Sequence, residues 1–393
     1  MPLLPFIRAI LAYTFLIAIL VGASLFVPAP VIAPAEEPLA VIEKPPEAST
    51  TTLPVATTTT TVATTTPSKL KPKPATTPVA TPIATPPPTT LTLEQAIQSI
   101  NNLVSTTSAS SVNDRVRQAL VNVICTTTAG GPFNSISASG VLIDPRGVIM
   151  TNAHVAQFYL LRDYQQKDFV TCVIRTGSPA QPMYKAELMF IPPSWIENNA
   201  SKIDDEVPTG NGEHDYALLR ITGPVSPSVT MPSTFPFLLI SLSTPPSNTE
   251  VVVAGYAAGF LGGITVQKDL YASSAVSRVG QIFTYGGDSP DVYSVGGTVV
   301  AQHGSSGGPV ALSDTGVLAG LIVTATEAAE TSQRDLRAIS TLYIINDFAK
   351  ERGKPLESAL ADPAQEAADF QKTTMPRLAN LLINVLSNSS SNN

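Results

Sequence analysis

Histidine is scarce in this chain: three occur in 393 residues, alongside two cysteines and one tryptophan. Imidazoles and thiols this few and this scattered leave no metal-ligand spacing, so neither a metal nor a cofactor is expected. Charge is also thin, at 13% of residues, and the balance of −7 is acidic. A nucleic-acid footprint needs a basic face, which this composition excludes. Residues 28–90 lack any large aromatic side chain and any apolar period, so that stretch has too little to bury to offset the entropy of ordering.

What is present falls into distinct blocks. Ala9 to Val27 is uncharged and long enough to cross a bilayer as a helix. Arg8 and the amino terminus lie on one side and Glu36 and Glu37 on the other, which predicts residues 1–8 in the cytoplasm and the remainder outside it. The length of the run favours an uncleaved signal anchor at 9–27. The small-residue site Ala33-Pro34-Ala35 keeps a removed signal, and hence a secreted protein, open. Residues 28–90, with Thr57–Thr61 and Pro86-Pro87-Pro88, read as an extended Pro/Thr-rich spacer. A helical lead-in is expected over 91–114, where Thr92 and Gln95 carry a capping-box signal.

From there the pattern becomes short β-type runs punctuated by Gly and Pro, the signature of an all-β barrel or sandwich. Strands are expected near Ala119–Thr126, Ser135–Ile143, Gly147–Thr151, Phe169–Arg175, Tyr184–Phe190 and Tyr216–Ile221. A second set is expected near Phe237–Ser241, Val251–Gly255, Leu270–Ser274, Gln281–Tyr285, Tyr293–Val300, Val310–Leu312, Val317–Thr324 and Ala338–Tyr343. Helices should follow from Ile345 to Arg352 and from Leu356 to Leu386. Leu378, Leu381, Leu382 and Val385 form an apolar stripe that should pack on the chain's own domain.

Three local sequences carry chemistry: Thr151-Asn152-Ala153-His154-Val155, then His214-Asp215-Tyr216-Ala217-Leu218-Leu219, then Gly304-Ser305-Ser306-Gly307-Gly308-Pro309. A serine hydroxyl is a weak nucleophile until an imidazole takes its proton, and the imidazole needs a carboxylate to hold its tautomer. Each fragment alone is weak, and Gly-x-Ser-x-Gly also fits the nucleophile elbow of α/β-hydrolases. Order decides between them. An α/β-hydrolase places its histidine after the serine, whereas all three histidines here precede Ser306.

These motifs, in this order, resemble the trypsin-like peptidases of chymotrypsin fold over residues 115–352. The resemblance implies an all-β fold of two six-stranded antiparallel barrels with a serine-endopeptidase site between them. It implies His154 as general base and acid, Asp215 as its orienting acid and Ser306 as nucleophile, with the N–H groups of Gly304 and Ser306 as the oxyanion hole. It also places Cys125 and Cys172 on neighbouring strands, where an exported protein could form a disulfide, two buried thiols being the alternative. Relatives of the digestive type hold an acid where this chain has Ser305, and no Ile-Val-Gly-Gly-like start precedes the first barrel. The style is closer to bacterial HtrA-like proteases, but residues 353–393 are too few for the PDZ domain those usually carry. Val300, six residues before Ser306, together with Val323, Thr324 and Ala325, implies a specificity pocket without charge and a small or aliphatic preference. His303 rims the cleft or is an ordinary loop histidine, and His214 receives no role. The expected partners are protein or peptide substrates and, through 9–27, a membrane. A catalytically inactive, peptidase-like binding or structural protein at the cell surface is the alternative.

Overall fold

The computed structural model describes residues 109–127, 135–203, 205, 210–259, 261–286, 289–325 and 333–391. The expected membrane helix, the spacer and the capping box at Thr92 lie outside these residues. Among the described residues no helix is long and apolar enough to cross a membrane.

The first described element is a helix, α1 (Ala109–Ala119), that runs straight into the first strand. Val112, Val116 and Ala119 recur at helical spacing and are fully buried, so the amphipathic signal lies in a segment too short and serine-rich to stand out. Six strands follow: β1 (Leu120–Thr127), β2 (Ile136–Asp144), β3 (Val148–Thr151), β4 (Val170–Thr176), β5 (Gln181–Phe190) and β6 (Ala217–Pro224). They close into an antiparallel barrel of order β1-β2-β3-β6-β5-β4. Each expected strand of this set is present with ends shifted by a few residues. Cys125 and Cys172 are direct partners in the β1–β4 ladder and are joined as a disulfide.

The second sheet departs from the expected six-stranded barrel. It has seven strands, β7 (Glu250–Gly255), β8 (Ser273–Arg278), β9 (Ile282–Phe283), β10 (Val292–Gly296), β11 (Pro309–Leu312), β12 (Leu318–Ala325) and β13 (Leu336–Ser340). Their order, β8-β7-β11-β12-β13-β10-β9, leaves the sheet open between its two edge strands. The reason is local: β9 has only two residues, and β8 reaches β10 through a side chain, Ser277 Oγ donating to the Val295 carbonyl, rather than through a ladder. Phe237–Ser241 is not a strand. Pro236, Pro245 and Pro246 break the pattern, and only Ile240 forms a bridge, with Leu318. The segment instead ties the two sheets together, the Leu238 N–H donating to Leu142 and the Ser241 N–H to Leu318.

The last expected strand ends at Ser340, whose hydroxyl accepts from the Tyr343 N–H and starts helix α5 (Thr341–Arg352); it takes over Thr341 to Tyr343. The numbering of the short helices between runs α2 (Ala153–Ala156), α3 (Pro193–Asn199) and α4 (Gly263–Lys268). Three more close the chain: α6 (Leu356–Ala361), α7 (Pro363–Thr373) and α8 (Met375–Ser391). Phe348 of α5 and Phe370 of α7 meet Phe190 of β5 edge-on, with ring centroids at 4.7 and 5.5 Å. Leu378, Leu382 and Leu386 of α8 are fully buried, with Leu381 and Val385 partly buried beside them, so the apolar stripe is consumed within the domain.

Candidate active site

His154 lies on α2, the single turn that begins where β3 ends. Asp215 sits just before β6, the strand paired with β3, so adjacent strand ends bring the two together. Both carboxylate oxygens of Asp215 serve His154: Oδ2 meets the ring Nδ1 at 2.7 Å, and Oδ1 accepts from the His154 N–H at 2.9 Å. Asn152, fully buried, donates its side-chain amide to the Asp215 carbonyl at 2.8 Å. With Nδ1 donating to the carboxylate, the neutral ring keeps a lone pair on Nε2 that can accept a proton. Burial works against charge on the ring, but the field and hydrogen bond of Asp215 outweigh it and raise the His154 pKa above its ordinary value of 6.5.

Ser306 follows a tight turn, Gln302-His303-Gly304-Ser305. The Ser305 N–H donates to the Gln302 carbonyl at 3.2 Å and Gly304 has φ +91°, the features of a type II turn. A side chain at Gly304 would also meet the Tyr256 carbonyl at 2.6 Å. The Ala258 N–H holds the His303 carbonyl at 2.7 Å, and because a trans peptide points its N–H opposite its carbonyl, the Gly304 N–H is turned the other way. Among the described residues neither the Gly304 N–H nor the Ser306 N–H has an acceptor. Two unclaimed N–H groups flanking a serine can stabilise a developing oxyanion. In this conformation the Ser306 hydroxyl is not hydrogen bonded to the His154 ring; such bonds are often long or absent without substrate.

A residue that the motifs did not mark joins the two sheets here. Ser139 of β2 donates its N–H to the Ser306 carbonyl at 2.8 Å and its hydroxyl to the Gly304 carbonyl at 2.7 Å. The same hydroxyl accepts from the Tyr256 N–H at 2.8 Å, and the Ser139 carbonyl accepts from the Thr151 hydroxyl at 2.7 Å. Thr151 is three residues before His154, so one buried serine connects the serine loop to the strand end that carries the imidazole. Gly307 completes the fit. Its φ is +81°, and a Cβ there would lie 2.2 Å from the Ser139 carbonyl oxygen.

Residues 138–321 match the family model of the trypsin-like peptidase domain. The chain carries a trypsin-like peptidase domain. No curated protein matches it. Among solved structures it is similar to the inactive form of Rv3671c from M. tuberculosis, at 18% identity and a TM-score of 0.38, over 69% of this chain and 97% of that one. A serine endoprotease from Yersinia pestis is similar at 18% identity and a TM-score of 0.39, over 63% of this chain and 68% of that one.

Within the peptidase domain the other candidate residues are placed as follows. Ser305 is fully buried, and its hydroxyl donates to the Val300 carbonyl, bracing the turn that carries Gly304. Val300 itself is packed in the core of the second sheet, with Tyr293 and Val310. Val323 belongs to the other buried cluster, with its methyl groups beside Gly212 of the Asp215 loop. The side chains of Thr324 and Ala325 lie outside the described residues. His303 is exposed and contributes its carbonyl to the turn. His214 is not solitary: its Nδ1 lies 2.8 Å from the Asp347 carboxylate of α5.

Proposed function

We propose that the protein is a serine endopeptidase that cleaves protein or peptide substrates outside the cytoplasm. The observation that carries this reading is the bidentate hold of Asp215 on His154, which sets the imidazole as a base. In the proposed reaction Ser306 Oγ attacks the scissile carbonyl carbon while its proton passes to His154 Nε2. The carbonyl oxygen becomes an oxyanion between the N–H groups of Gly304 and Ser306, each worth about 3–4 kcal/mol of barrier lowering. Collapse breaks the C–N bond, and the leaving amine takes the proton from His154. Water then attacks the acyl-enzyme while His154 accepts its proton; the C–Oγ bond breaks, His154 returns the proton to Ser306 Oγ, and the acid is released.

The setting of this activity is part of the same proposal. The apolar run 9–27 would tether the domain through the spacer, and the Cys125–Cys172 disulfide fits an oxidising compartment. No acid stands at position 300 or 323, which supports a small or aliphatic residue before the scissile bond.

A fluorophosphonate probe tests the reading directly. Wild type should be labelled, and Ser306→Ala, verified as folded, should not. Absence of labelling in folded wild type would mean that the domain is a peptidase-like binding protein. A peptide library dominated by Arg or Lys before the cleaved bond would overturn the specificity proposal alone.

A further inference from the structure

His214 lies immediately before Asp215 in an unusual conformation. Its φ is +58°, the left-handed region that few residues other than glycine occupy, and such a backbone persists where its surroundings over-determine it. What holds it is α5. The ring Nδ1 lies 2.8 Å from Asp347 Oδ2, and the His214 N–H donates to the Tyr343 hydroxyl at 3.3 Å. Asp347 is buried, with a side-chain exposure of 4%. The helix that presents these groups is itself fixed, by the Phe348–Phe190 contact and by its Ser340 cap.

The turn then passes directly to the site. The Tyr216 N–H donates to the His214 carbonyl at 2.9 Å and the Asp215 N–H to Gly212 at 3.2 Å, so the orientation of His214 sets the direction in which Asp215 leaves the loop. Tyr285, stacked edge-on against Tyr343 at 4.9 Å, closes the rear of this loop beside Gly212.

We infer that His214 and Asp347 form a second histidine–carboxylate pair, next to the first, in which α5 positions Asp215, the carboxylate that orients His154. His214 touches no substrate and is a positioning residue. The inference rests on the peptidase reading above. The groups facing the imidazole are Asp347, Glu351 and the Tyr343 hydroxyl from α5 and Glu213 from its own loop. Lys350 borders the same cavity, and the Tyr216 hydroxyl is buried beside Asp347. The hydrogen bond to Asp347 is the main cause raising the His214 pKa above its ordinary value, and burial only partly opposes it, so the protonated ring persists to higher pH than in a free histidine.

Three variants of the full chain test the inference. His214→Gly keeps the positive φ and removes the ring, Asp347→Asn removes the charge from the helix, and His214→Asn keeps both the backbone preference and a donor. The first two should lower kcat about tenfold with little change in KM, because a small misplacement of a reacting group is costly while binding is untouched. They should also move the His154 titration, followed by NMR, to lower pH as Asp215 loses its hold, and His214→Asn should recover most of both. Unchanged kcat and unchanged His154 titration in His214→Gly and Asp347→Asn, even with a lowered Tm, would reduce the pair to ordinary packing. His214, Asp347 and Glu351 also offer ligand atoms within 4.8 Å of one another. Loss of activity in EDTA that zinc restores would overturn the inference in favour of a metal site. Failure of wild type to label with fluorophosphonate strikes only the peptidase reading, since the NMR titration reads the coupling without turnover.

Discussion

The hydroxyl of Ser139 donates to the carbonyl of Gly304, 165 residues further along the chain, at 2.7 Å. The two residues belong to different sheets, so the conformation of the serine loop depends on how the sheets meet. With the Ser306 carbonyl held by the same residue, the loop that supplies both candidate oxyanion donors is braced from the first barrel. Ser305, which occupies the place of an acid in digestive relatives, braces it from within by its bond to Val300.

Ser139→Ala should therefore impair chemistry more than binding. The substitution leaves the Tyr256 N–H and the Gly304 carbonyl without their buried partner, each at a cost of about 1–3 kcal/mol. Freed of its brace, the turn should present the Gly304 N–H less often, and kcat should fall about 10- to 100-fold. Steady-state kinetics and thermal unfolding measured on the same preparation check both parts; a Tm loss with kcat intact would dissociate Ser139 from the oxyanion loop.

The pH dependence follows from His154. Its pKa is raised in the folded state, so the neutral ring needed as a base is lost below a point above 6.5, and the acid limb of kcat/KM should lie there. Asp215→Asn removes both causes of the rise and leaves burial, so the His154 titration measured by NMR in a Ser306→Ala background should drop. The sign for stability is opposite to that for activity. A raised histidine contributes stability fully present below 6.5 and lost as pH rises through the folded pKa. His214 is raised too and adds in the same direction. Thermal unfolding of His154→Ala and His214→Gly should show less of this decline between pH 6 and 8 than wild type, as a rough range set by the ordinary histidine pKa.

The Cys125–Cys172 disulfide closes a segment with a sequence separation of 47. On the chain-entropy account, a loop of that length stabilises by about 4 kcal/mol. Denaturant unfolding of the Cys125→Ala, Cys172→Ala double variant, or of reduced wild type, should show a loss of that order. A loss below about 1 kcal/mol would mean that residual structure or strain cancels the entropic gain.

The sequence itself determined the candidate catalytic residues and most of the first barrel. His154, Asp215 and Ser306 were legible as candidates because each sits in a short motif, and because all three histidines precede Ser306. The strands of the first barrel were readable because β-rich apolar runs repeat between turn residues, a local signal. Other features depend on contacts that no local pattern encodes. Phe237–Ser241 has the composition of a strand, but its neighbours are prolines and its partners are single residues in both sheets, so it became a tie. The second sheet stays open because a two-residue strand cannot propagate a ladder. The brace of Ser139 on Gly304 and the grip of Asp347 on His214 span 165 and 133 residues. A buried hydroxyl or imidazole acquires its role from the donor or acceptor that folding delivers to it, and only the tertiary structure decides which one that is.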